Sequence, residues 1–198
     1  MILRPVLMRI TERESPRGPQ RLERQRRYAR AALRKCAELS GAPTEGWRQS
    51  DERVPMPNGR FHWSIAHKRS WVAAVIADRP VGIDIEHVAP RKTDLFDEVA
   101  TAEEWSKLDR RDWPAFFRIW TAKEATLKAN GVGIGHLAEC RVVAADAPMR
   151  ITISYADREW AIEHFEHDGH IAAVTRVGDE VRWHVVEEEI PFIPASDR

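Results

Sequence analysis

The spacing of apolar positions changes period along the chain. From Arg21 to Leu39, Leu22, Ala29, Ala32, Leu33 and Cys36 recur at helical spacing, and "SGAP" closes the run, which predicts a helix over 21–39. A second helical pattern runs through "DWPAFFRIWTAKEATLKANGVGIG": Asp112 suits the N-cap, Pro114 the first turn and Asn130-Gly131 the end. Phe116, Ile119, Trp120 and Leu127 gather on one face; Lys123 falls inside that apolar sector, and Glu124 and Lys128 lie one turn apart on its shoulder. Elsewhere the period is two. "FHWSIAH", "WVAAVIA" and "VGIDIE" read as successive strands, and so do "REWAIEH", "HIAAVTRV" and "VRWHVVEE".

The two sets of strands look like one three-strand meander used twice. The expected architecture is α+β: two similar half-domains, each a small antiparallel sheet packed with a long helix, related by a pseudo-two-fold axis. The boundary is placed after residue 92, giving halves 1–92 and 93–198, with a site in the cleft between them. Residues 43–60, with Pro43, Pro55, Pro57 and Asn58-Gly59, read as irregular.

Composition narrows the function. With 31 Lys+Arg against 31 Asp+Glu the formal net charge is +0, which argues against a nucleic-acid partner, although basic residues crowd the first helix. Two cysteines are too few for a disulfide framework or structural zinc site and suit a reducing compartment. Residues 1–10 are broken by Arg4 and Pro5 and make neither a signal core nor a membrane span, so a cytoplasmic protein is expected.

The chemistry centres on Asp84 and Glu86. Residues two apart on a strand share one face, and two carboxylates there repel each other unless a cation holds them. A nearby Lys or Arg would serve, and so would magnesium, which prefers carboxylate oxygens and keeps room for phosphate ligands. Glu124 is a third candidate carboxylate, and His67 stands at the end of "WSIAH".

Taken together, "SIAHKRSWVAAVIADRPVGIDIE" and "FFRIWTAKEATLKANGVGI" resemble the 4′-phosphopantetheinyl transferases, in particular the larger, pseudo-dimeric type that activates siderophore and surfactin synthetases. The pattern is G-[IV]-D-[IV]-E followed by W-x-x-K-E-A-x-x-K, met here by Gly82 to Glu86 and Trp120 to Lys128. The resemblance implies transfer of phosphopantetheine from coenzyme A to a serine of an apo acyl or peptidyl carrier protein, releasing 3′,5′-ADP. It implies magnesium, with manganese as the alternative, held by Asp84, Glu86 and Glu124. Glu124 also resembles the base for the attacking serine. Lys128 and His67 resemble groups on the coenzyme A pyrophosphate, with Lys123 beside the same phosphates, and Arg53 resembles a residue at the nucleotide end. One or more of Arg24, Arg26 and Arg27 would hold the 3′-phosphate, and Arg91, Lys92, Arg110 and Arg111 are candidates for carrier docking. A monomer is expected, because one chain supplies both halves.

Two positions depart from the family's Asn-x-Ser-His: Ser64 stands for Asn, and Ala66 for the Ser before His67. The missing hydroxyl removes a phosphate hydrogen bond of about 1 kcal/mol. The competing readings are another magnesium-dependent phosphate enzyme, a non-catalytic carrier or coenzyme A binder, and a zinc site from His164, His167 and His170. No P-loop or dinucleotide glycine motif is present.

Overall fold

The computed structural model describes residues 2–11, 19–147, 149–176 and 180–187. Most of "SPRGPQ", and the ends of "HIAAVTRV" and "VRWHVVEE", lie outside these residues. The architecture is α+β. In chain order the elements begin with β1 (Ile2–Leu3), β2 (Val6–Arg9), α1 (Pro19–Ser40), β3 (His62–Lys68), β4 (Trp71–Ala77) and β5 (Ile83–His87). Two short helices follow, α2 (Leu95–Val99) and α3 (Ala102–Trp105), then the long α4 (Trp113–Ala129) and a 3₁₀ turn at Ile134–Glu139. The remainder is β6 (Arg141–Ala147), β7 (Arg150–Tyr155), β8 (Arg158–His167), β9 (His170–Thr175), β10 (Glu180–Val181) and β11 (His184–Val186).

One sheet has the order β11-β2-β4-β3 and the other β5-β9-β8-β7-β6, while β1 and β10 form a separate two-stranded ladder. The expected meanders do not form as such, because the third strand of each set crosses to the opposite sheet. "VGIDIE" gives β5, which pairs antiparallel with β9, and β11 returns to pair parallel with β2. Crossing is favoured by burial. Ile83 and Ile85 lie between the two sheets, packed with Ala73, Val75, Ala172 and Val174, where apolar surface is removed from water on both faces.

The outer face of the first sheet packs on α1 through Val6, Met8, Val72, Ala74 and Ile76 against Tyr28, Ala29, Ala32, Leu33 and Cys36. Leu22, assigned from sequence to the apolar face of that helix, is instead exposed. The outer face of the second sheet packs on α4 through Ile151, Ile153, Ile162, Ile171 and Ala173 against Phe116, Ile119, Ala122 and Ala125. Each sheet therefore has its own long helix, and the sheets meet face to face. The edge strands β3 and β5 also meet, and the Ile83 amide donates to Ser64 Oγ at 3.2 Å.

Candidate active site

β5 sits unusually close to α4. A Cβ on Gly82 would fall 1.9 Å from the Ala125 carbonyl oxygen and 2.7 Å from the Ala129 nitrogen. Only glycine allows that approach. Gly82, Asp84 and Glu86 share one strand face, so the glycine that admits the helix also turns both carboxylates toward it. The Gly82 amide is fixed by donating to Thr175 Oγ1 at 2.9 Å.

On the helix side, Lys128 Nζ donates to Asp84 Oδ1 at 2.6 Å. Asp84 Oδ2 is buried and has no hydrogen-bond partner. Among the described residues no donor reaches the Glu124 carboxylate, which is pushed above the usual carboxylate range by burial first and by Asp84 second. Glu86 is raised by burial, with Lys68 opposing. Lys68 Nζ donates to Glu86 Oε1 at 2.8 Å, and Arg91 Nη2 lies 3.4 Å from Glu86 Oε2. His67 is open to solvent on one side, yet the protein around it holds it below its ordinary pKa by partial desolvation first and by the Lys128 charge second, while Asp84 pulls the other way. His67, Asp84, Glu86, Glu124 and Lys128 therefore form one electrostatic unit.

Lys128 also lines a cleft of about 350 Å³ together with Arg53, Val54, Pro55, Ser64, Ile65 and Gly133. Arg53 is presented by a tight loop in which its own amide donates to the Ser50 carbonyl and the Ser50 amide to the Val54 carbonyl. Its backbone is left-handed, with φ of 63°, a conformation that a non-glycine residue adopts at some cost. Arg53 and Lys128 thus bring two cations to one cavity that Ser64 and Ile65 also line. Ala66 is buried in the apolar layer between the sheets.

Lys123 does not join them. It is 2% exposed, and its ammonium lies 2.7 Å from Glu104 Oε1 and donates to the Val99 carbonyl at 2.7 Å. The expectation that it lies beside coenzyme A phosphates is corrected: its charge is taken up by a buried carboxylate that braces α4 against α3 and β6. Burial would raise the Glu104 carboxyl, but Lys123 and the backbone amides of Thr101 and Val142 outweigh it and hold it below the usual range. Glu104 was missed from sequence, although Thr101 and Glu104 form a capping box whose T-x-x-E spacing is legible there. Lys68 was missed as well, because in the sequence it reads as part of the "KRS" connection between two strands, an ordinary solvated cation, whereas it closes β3.

Of the groups expected to dock a carrier, Arg91 is drawn into this unit by Glu86, whereas Arg110 and Arg111 pair with other carboxylates. Arg111 pairs with Asp97, and Arg110 Nη1 lies 4.0 Å from Asp112. Arg26 is exposed on α1. The histidines of the zinc alternative are not gathered into a metal-holding group among the described residues; His164 Nε2 donates to the Arg118 carbonyl at 2.9 Å, and His170 Nδ1 to the Asp168 carbonyl at 2.7 Å.

The carboxylates suit a hard divalent cation in kind. Asp84 offers an unpartnered buried oxygen, Glu124 has no donor upon it, and hard cations take oxygen ligands. As the side chains stand, no three acidic, histidine or cysteine groups among the described residues are gathered tightly enough to hold a metal ion.

Comparison with known proteins places the same segment in context. Residues 80–175 match the family described as the 4′-phosphopantetheinyl transferase superfamily. The chain is 35% identical over 80 residues to 4′-phosphopantetheinyl transferase psf-1 of Bacillus pumilus, covering 38% of this chain and 34% of that one. It is 30% identical over 92 residues to 4′-phosphopantetheinyl transferase gsp of Aneurinibacillus migulanus, covering 44% and 39%. Over 125 residues it is 30% identical to 4′-phosphopantetheinyl transferase HetI of a Nostoc strain, covering 59% and 52%. The matches thus span from about a third to about half the length of these relatives.

Proposed function

With residues 80–175 matching its family model, the chain belongs to the 4′-phosphopantetheinyl transferase superfamily, and from that premise we propose that it transfers phosphopantetheine from coenzyme A to a carrier-protein serine. The observation that carries this reading is the single electrostatic unit formed by Asp84, Glu124, Lys128 and His67, joined through Lys128 to the cleft that Arg53 also lines. We assign the two sheet-and-helix units to two half-domains with the site on their seam, as in the larger, single-chain type.

In this reaction the serine Oγ bonds to the phosphorus that bears pantetheine, the bond from that phosphorus to the bridging oxygen breaks, and 3′,5′-ADP leaves. In this reading Glu124 takes the serine proton. Its raised pKa brings it closer to the working pH, as a general base requires. Lys128, on leaving Asp84, supplies charge to the pyrophosphate, with His67 as a second contact, and Arg53 receives the nucleotide end. Asp84 and Glu124 offer the oxygen ligands for magnesium or manganese, which when bound would neutralise charge developing on the leaving phosphate. Such transfers depend on positioning and electrostatics more than on covalent help.

The partner is an apo acyl or peptidyl carrier protein. We read the protein as a cytoplasmic monomer, on the strength of two free buried cysteines and a site drawn from both sheets of one chain. Among the described residues no helix is long and apolar enough to cross a membrane. The test is chromatographic: wild-type protein, coenzyme A, magnesium and an apo carrier should release 3′,5′-ADP only when the carrier is present. Release without a carrier would favour a hydrolytic phosphate enzyme, and binding without release a non-catalytic binder.

A further inference from the structure

The three carboxylates at the junction of β5 and α4, Asp84 and Glu86 on the strand and Glu124 on the helix, are not equivalent. Asp84 is 7% exposed, gives one oxygen to Lys128 and leaves the other, Oδ2, buried and unpartnered. Glu124 receives no donor among the described residues. Glu86 is instead gripped at both oxygens by cations from two separate segments: Lys68, at the end of β3, and Arg91, in the loop that follows β5. Arg91 is itself braced, its guanidinium 5.2 Å from the centre of the Phe117 ring in the first turns of α4.

The grip has a structural use, since it ties the end of β3 and the loop after β5 to one carboxylate beside the helix. It also has a chemical consequence. A carboxylate whose two oxygens face an ammonium and a guanidinium has little left to offer a metal ion, and a cation brought to Glu86 would meet two like charges at close range. An oxygen that is buried, anionic and unpartnered, such as Asp84 Oδ2, carries the opposite bias.

We propose that Lys68 and Arg91 withdraw Glu86 from metal coordination, so that the divalent cation is carried by two carboxylates, Asp84 and Glu124, with Lys68 acting as a built-in cation that sets metal affinity. The remaining coordination positions fall to substrate phosphate and water, as is usual for magnesium. This deepens the transferase reading and rests on it. It also accounts for the lack of a three-ligand cluster among the described residues, which a two-carboxylate site does not need.

The test is equilibrium binding of Mn²⁺, followed by electron paramagnetic resonance, to full-length protein in saturating coenzyme A, with circular dichroism confirming each fold. Glu86→Gln should stay within about threefold of wild type, while Glu124→Gln and Asp84→Asn weaken by about tenfold or more. Lys68→Met frees Glu86 and should tighten Mn²⁺ binding by about threefold or more. Tenfold weakening in Glu86→Gln, or any weakening in Lys68→Met, would overturn the proposal while leaving the transferase reading intact. Wild-type protein that shows no saturable Mn²⁺ binding would overturn both.

Discussion

Replacing Gly82 with alanine tests how the site is assembled. The added Cβ would sit 1.9 Å from the Ala125 carbonyl oxygen, 2.7 Å from the Ala129 nitrogen and 2.9 Å from the Ala125 carbonyl carbon. A carbon–oxygen contact needs roughly 3.3 Å, so β5 and α4 must part by more than about 1 Å. Every clashing atom is backbone, and no rotamer change relieves it. Overpacking of this kind costs about 1–3 kcal/mol, and rigid backbone on both sides places this case at the upper end. For a chain of this size that corresponds to a fall in Tm of about 10 °C. The same parting separates Asp84 and Glu86 from Glu124 and Lys128, and a misplacement of about 1 Å can cost about a hundredfold in rate. The assay is a thermal melt together with transfer to an apo carrier, with Gly135→Ala as control, because a Cβ there meets nothing within 4 Å. Gly82→Ala with the Tm and rate of the control would refute the claim that glycine sets the strand–helix approach.

Three further outcomes follow from buried charge. Glu124 binds a proton more readily in the folded chain, so its contribution to stability is present below the ordinary carboxylate range and lost as pH rises through its raised native pKa. Glu124→Gln should therefore melt no lower than wild type at pH 7 in chelator, yet transfer about a hundredfold more slowly or worse; a clearly lower Tm would contradict the assignment. Glu104→Gln leaves Lys123 buried without its counter-charge and should cost about 3–5 kcal/mol in urea unfolding, whereas Glu104→Leu combined with Lys123→Met should cost much less; equal losses would show that the charges do not matter. His164 is lowered from 6.5 to about 4 by burial, its Nδ1 having no partner, so the stability it contributes is complete above about pH 6.5 and lost as pH falls through about 4. The difference amounts to about 3 kcal/mol, and His164→Gln should flatten the acid limb of stability against pH; an unchanged limb would place the acid sensitivity elsewhere.

Local pattern carried much of this molecule. The caps and apolar stripe of α4 were legible because Asp112, Pro114 and Asn130-Gly131 act within a few residues of where they stand. The two strand triplets were legible because side chains alternate along each strand. Their pairing was not. Ile83 and Ile85 would satisfy either sheet locally, and the choice of β9 over the first meander is made by contacts distant in sequence. The face shared by Asp84 and Glu86 was readable from spacing, and a lysine or arginine counter-charge was among the answers the sequence allowed; which cations answer was not readable, because Lys68, Arg91 and Lys128 arrive from three separate segments. Lys123 shows the limit most plainly. Its place in an apolar stripe left open a side chain that snorkels to water or one that reaches an anion, and that the anion is Glu104 and not a phosphate depends on where α3 packs.

The central claim is that one chain, through the carboxylates and lysine that join β5 to α4, moves phosphopantetheine onto a carrier serine. Its most direct measurement is intact-protein mass spectrometry of an apo carrier incubated with this protein, coenzyme A and magnesium, alongside a carrier whose acceptor serine is replaced by alanine. The account predicts that the intact carrier gains the mass of one phosphopantetheine group, that the serine-less carrier gains nothing, and that Glu124→Gln protein leaves both unmodified on the same timescale. A carrier that keeps its apo mass with folded wild-type protein and saturating coenzyme A and magnesium, across fatty-acid, polyketide and non-ribosomal peptide carriers alike, would contradict it.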